Sequence, residues 1–322
     1  MRIGSVLANP EVVIAAAALA TMLGLSVGFH LPIVLPSGER AGFVGVHYIY
    51  PLIGIVLMGL TTSIRAPREI AQRFLLAVPC YAAVLFAHFN MKLWIPYLNP
   101  TRYDAVYWQV DQLLRPLVTF SMVVREALTP LIPYQANAYM IVFIAMFYLS
   151  FIYHALKTPE QFVPLILSVL ILQFLGSLFY MAAPAIGPFI YEAGVNPIIT
   201  QGQQGMLGFY RQSLAHGPGW LAAHGGEGFT AGLAAMPSLH AAGAFLFFLF
   251  AWRHARRLVP IYALALAYIL IAAIASRWHY LVDIPAGIAL AWVSHMLADR
   301  LASSRSIETS LDVVAGPLLG GR

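Results

Sequence analysis

Two histidines and an aspartate hold the chemistry this sequence offers. His240 stands in "AAMPSLHAAGAFLFFLF", at the mouth of an apolar run. His279 and Asp283 stand in "ASRWHYLVDIPAGIALAW", about 40 residues later. Four residues apart on a helix, His279 and Asp283 share one face. The carboxylate then takes the N–H of one imidazole nitrogen and fixes the tautomer. The other nitrogen keeps its lone pair outward, as in an oriented nucleophile or base. Ser238, two residues before His240, is a helix-capping type. A helix start also offers backbone N–H groups to an anion. Ionisable groups gathered at one depth of a membrane are costly unless they act.

Membrane-spanning helices must position these residues. Of 322 residues, 60 % are hydrophobic and 10 % charged, with a mean hydropathy of +0.77. Soluble domains carry about 25 % charged residues, which excludes a soluble protein. The net charge of +5 is scattered, so no nucleic-acid partner is expected. A single cysteine, Cys80, excludes an intrachain disulfide and a thiolate metal site. Spanning the hydrocarbon takes roughly 20 apolar residues. Such runs occur at about 11–31, 42–63, 73–95, 136–156, 162–182, 235–252, 258–276 and 279–299. The chain is therefore expected to be all-α, a polytopic integral membrane protein of about eight transmembrane helices. The first run is read as a retained helix, because its apolar core is too long for a signal peptide.

Between the third and fourth runs, "YLNPTRYDAVYWQVDQLLRPLVTFSMVVREALTPLIPYQ" is expected to hold interfacial or re-entrant helices. The Gly- and Gln-rich segment of about 183–234 reads as a long connection able to cover the site. We divide the chain into N-terminal transmembrane helices (1–70), a catalytic membrane domain (71–302) and a flexible tail (303–322). With eight spans the connections alternate sides. One side carries 11 of the 18 lysines and arginines, concentrated in the short turns "RAPREIAQR" and "WRHARRL". That side is cytoplasmic by the positive-inside rule, so His240 and His279 face the extracytoplasmic side.

"MPSLHAA" followed by "HYLVDIPAG" resembles the second and third signature motifs of the type 2 phosphatidic acid phosphatase superfamily. "MAAPAIGPFIYE" is similar to the Pro-x-x-Gly-Pro element of its inositol phosphorylceramide synthase-like branch. Together these cover roughly the last 150 residues. The resemblance implies a six-helix catalytic core and a phosphohistidine formed on His279. It also implies orientation by Asp283 and proton transfer through His240. Ser238 and cationic side chains would hold the phosphate. Neither metal nor cofactor is implied. The implied substrate is a membrane phospholipid or lipid phosphate, with water or a lipid hydroxyl as acceptor.

The chain departs from the superfamily pattern at its cations. The first motif, Lys, six residues, Arg-Pro, is matched only by Arg115-Pro116, with Trp108 in the lysine's place. The third motif's arginine, six before the histidine, is replaced by Ala273, and Arg277 lies two before it. Lys92, Arg115, Arg211 and Arg277 are thus the candidate phosphate-binding cations. His88 and the remaining histidines are assigned no role. Three other classes compete: a simple lipid or polyprenyl phosphate phosphatase using the same residues, a transporter, and a metal-dependent hydrolase ligated by His240, His279 and Asp283. A transporter predicts mid-helix charges and matched halves; the spans carry few such charges and no matched halves. The hydrolase lacks a second acidic cluster.

Overall fold

A computed structural model of the protein describes residues 9–37, 57, 59–60, 64, 68–132, 135–229 and 232–315. Among these residues all regular structure is helical. The helices are α1 (Pro10–Phe29), α2 (Arg68–Leu93), α3 (Ile95–Leu98), α4 (Asp104–Leu113), α5 (Arg115–Ala127), α6 (Gln135–Lys157), α7 (Phe162–Ala182), α8 (Pro197–His224), α9 (Leu239–His254), α10 (Val259–Ala275) and α11 (Asp283–Ala315). Five stretches are long and apolar enough to cross a membrane: Pro10–Phe29, Arg68–Leu98, Ala138–Lys157, Pro159–Ala182 and Arg256–Ala275. This supports a multi-span membrane protein with five spans by that measure, where the sequence suggested about eight. The expected span 42–63 lies almost wholly outside the described residues. The expected span 235–252 begins later, because Met236 and Pro237 precede the helix, and α9 has only 16 residues.

The centre of the bundle is α7. Its sequence, "FVPLILSVLILQFLGSLFYMA", is apolar on every side, as a helix enclosed by other helices must be. It packs against α1, α2, α6, α9 and α11, and α9 in turn packs against α6, α10 and α11. Ser168 and Ser177 satisfy their hydroxyls within α7, on the carbonyls of Pro164 and Gln173. Cys80 is part of this core.

Two expectations are corrected outside the bundle. The 183–234 segment is not an open connection. Its middle is the helix α8, capped by the Asn196 side chain on the amides of Ile198 and Ile199, and kinked where Gly217 (φ +75°) meets Pro218. Local capping outweighed the loop-like glycine content. Likewise His279 does not lie on the last helix. Arg277 adopts a left-handed φ of +60°, which breaks the chain after α10, and α11 begins at Asp283. The segment expected to hold interfacial or re-entrant helices folds into α4 and α5, with α5 packed on α10. At the C-terminal end α11 continues to Ala315, through much of 303–322.

Candidate functional site

The starts of α9 and α11 meet at the site. Ser238 caps α9, its Oγ accepting from the Ala241 amide, and its own N–H donates to the Asp283 carbonyl. The helices approach so closely here that a Cβ on Gly287 would lie 2.6 Å from the Ser238 carbonyl oxygen. This explains why position 287, in the first turns of α11, is a glycine.

His279 is held from one edge. Its Nδ1 donates to the Ala235 carbonyl at 2.8 Å and faces Asp283 Oδ2 at 3.2 Å. A carbonyl can only accept, so Nδ1 carries the proton and Nε2 keeps the lone pair. Asp283 Oδ2 also accepts from the Tyr280 amide at 2.8 Å, which fixes the carboxylate at the helix start. The pairing expected from helical spacing is made instead by this turn.

His279 and His240 line one cavity of about 460 Å³. The His240 ring makes no hydrogen bond among the described residues. It is held edge-on by Tyr139 and Phe143, at 5.3 and 4.9 Å between ring centres. Lys92 also lines the cavity, its Nζ 5.2 Å from the centre of the Tyr180 ring, and no described carboxylate pairs with it. His240 interacts electrostatically with both His279 and Lys92. The rest of the lining is mostly apolar. It follows α2 from Lys92 back to Tyr81 and α6 from Tyr139 to Tyr148. At 1.5 Å per residue, the α2 side runs roughly 16 Å along the helix.

The other candidate cations lie elsewhere. Arg277 is fully buried and turned away from the cavity. It donates to Asp111 Oδ2 at 2.8 Å, lies 3.4 Å from Glu192 Oε2, and stacks over Trp108. Arg115 grips Glu192 with both terminal nitrogens. Glu192 is thereby held below the usual carboxylate range, chiefly by that bond, with burial opposing and Arg277 assisting. Arg211 is exposed on α8. Ser238 is fully buried beside the cavity rather than lining it.

Several residues were missed in the sequence. Asp104 and Asp111, seven apart on α4, clamp the loops around His279. Asp111 Oδ1 accepts from the Leu281 amide at 2.8 Å while Oδ2 holds Arg277. Asp104 accepts from Tyr280 Oη at 2.8 Å and from the amides of Ile186 and Gly187. The "APAIGP" segment is thus tied to the His279 loop. Gly187 has a φ of +134°, and a Cβ there would meet the Trp278 carbonyl at 2.9 Å. His88 and Arg125 also line the cavity, Arg125 donating to Tyr268 Oη at 2.7 Å. The readable signals were the seven-residue spacing of the aspartates and the one-turn spacing of His88 and Lys92 within an apolar run. Among the described residues no three His, Cys, Asp or Glu side chains form a metal-ligating group.

No curated protein and no solved structure matches the chain. A model of the PAP2 superfamily, which comprises phosphatases and phosphotransferases, matches residues 123–297. That stretch contains Ser238, His240, His279 and Asp283, while His88, Lys92, Asp104, Asp111 and Arg115 precede it. More than half of the sequence is matched, and the chain belongs to the PAP2 superfamily.

Proposed function

We propose that the protein cleaves a lipid phosphoester through a phosphohistidine on His279 and passes the phosphoryl group, or a phosphorylated headgroup, to a lipid hydroxyl. One observation carries this reading. His279 is held by Nδ1, leaving the Nε2 lone pair available in a cavity shared with His240 and with Lys92, which pairs with no carboxylate among the described residues. Nε2 attacks phosphorus, and the bond to the leaving oxygen breaks as His240 gives that oxygen a proton. Asp283 steadies the imidazolium that forms on His279. In the second half, His240 takes the proton of the incoming hydroxyl, whose oxygen displaces Nε2. Lys92 offsets charge on the phosphoryl oxygens. No step calls for a metal, and EDTA should leave the rate unchanged.

The mostly apolar cavity favours a lipid acceptor over water, because a dry site suppresses hydrolysis of the intermediate. Transfer of a headgroup in the manner of inositol phosphorylceramide synthase is supported by the resemblance of "APAIGP", the segment clamped by Asp104. The positive-inside count supports an extracytoplasmic site. The decisive experiment incubates the purified protein with a 32P-labelled phospholipid. We expect an acid-labile, base-stable phosphoprotein that is absent in His279→Ala, and label transferred to added diacylglycerol or ceramide. Release of free phosphate with every acceptor would make the protein a phosphatase. Failure to label the wild type, with full turnover in His279→Ala, would refute the mechanism.

A further inference from the structure

His88 sits in the same cavity with its tautomer fixed by a separate network. Its Nδ1 lies 2.8 Å from Ser177 Oγ and 3.3 Å from the Gln173 carbonyl oxygen. Ser177 gives its own proton to that carbonyl at 2.9 Å. Both partners therefore accept, and Nδ1 must be the donor. In the neutral ring Nε2 is left with a lone pair. It has no hydrogen-bond partner among the described residues, although His88 is only 4 % exposed. Edge and tilted contacts with Phe89 and Tyr180, at 5.1 and 5.7 Å, hold the ring in place.

The position of this nitrogen decides what can satisfy it. His88 lies one helical turn before Lys92, roughly 6 Å further along α2 from the catalytic end. Leu85, Phe89 and Phe143 make the neighbouring lining apolar. This nitrogen opens onto the cavity, so a ligand that displaces water there must offer it a donor or leave it unpaired, at a cost.

We propose that His88 Nε2 accepts a hydrogen bond from a hydroxyl on the lipid, next to the phosphoester carbon. His88 is then a specificity-determining residue that favours lipids carrying a hydroxyl there. This rests on the reaction proposed at His279. With phosphorus between His279 and Lys92, the next turn of α2 lies beside the first carbons of the lipid. A site built around such a bond discriminates against the analogue that lacks it, because the protein group is then stranded.

The test compares lysophosphatidic acid with its 2-deoxy analogue of the same acyl chain, in mixed micelles. We expect kcat/KM to favour the hydroxylated lipid by about tenfold or more. His88→Leu should remove most of that preference, and His88→Gln, whose Oε1 also accepts, should restore part of it. A second pair of acceptors, 1-monoacylglycerol and its 2-deoxy analogue, locates the hydroxyl. Preference in the first pair assigns it to the phosphorylated lipid, and preference in the second pair alone assigns it to the incoming one. No preference in either pair overturns the inference, as does a preference that His88→Leu leaves intact. If His88→Leu fails to fold, the wild-type comparison and His88→Gln decide the matter. His279→Ala separates the two levels. Turnover of both lipids by that variant refutes the reaction itself. An inactive His279→Ala beside an indifferent wild type refutes only the role of His88.

Discussion

Two regions of the molecule use the same kinds of side chain in opposite ways. In the clamp formed by Asp104, Asp111, Arg115, Glu192 and Arg277, cation meets carboxylate, and carboxylate meets backbone amide. In the cavity, Lys92 and His240 have no polar partner among the described residues, and His279 is bonded at one nitrogen only. The difference teaches how to read ionisable residues in an apolar protein. In the clamp each cation faces a carboxylate, although Arg277 Nη1 has no hydrogen-bond partner among the described residues, whereas in the cavity Lys92 and the imidazoles face a mostly apolar lining. Here the clamp fixes residues 277, 280 and 281, which bracket His279 at the edge of the cavity.

The contrast breaks down first at His279. His279→Ala should abolish phosphoryl transfer, a fall of about 1,000-fold or more, if it is the covalent nucleophile proposed. The fold should survive, as shown by an unchanged elution profile and thermal midpoint. A variant with normal turnover would remove the cavity from the chemistry. Asp283→Asn comes next. It should retain a small residual rate, because it misorients the imidazole without removing it, as the handling of His by Asp in the serine-protease triad illustrates.

Lys92 and Arg277 give the sharpest comparison. Lys92→Met should lower turnover by about 100-fold, by analogy with loss of a single charge-stabilising group, and leave thermal stability unchanged. Arg277→Met should act mainly on stability, by about 3–5 kcal/mol, because it strands Asp111 as a buried charge. Thermal unfolding in detergent, read beside kcat, separates the two. If Arg277→Met is fully stable but inactive, the clamp is not merely structural.

The smallest expected effect is one of pH. Glu192 is held below its ordinary value by Arg115, so its folded pKa is lower than its unfolded one. Its contribution to stability is present above the unfolded value of about 4.5 and is lost as pH falls through the folded value. Both partners are partly exposed, which keeps the contribution small. The acid limb of a thermal-midpoint profile should be flatter in Glu192→Gln than in the wild type. An identical acid limb would remove Glu192 from the clamp's energetics.

The sequence by itself determined the class of protein and the chemistry's residue types. Hydrophobic runs long enough to span a bilayer have few other fates, and "PSLH" with "HYLVD" names a pair of helix starts through short-range chemistry. Capping by Ser238 is a local consequence of those letters, while the close approach of Gly287 to the Ser238 carbonyl is a contact between two helices. Only the tertiary structure decided which charges are in use. Arg115, Arg211, Arg277 and Lys92 look alike as letters, and nothing local to any of them reveals a carboxylate 77 or 166 residues away in the chain. The same holds for His88, whose tautomer depends on Ser177 and Gln173 of another helix. Whether an ionisable group is compensated depends on neighbours brought together by packing, and packing is a property of the whole fold.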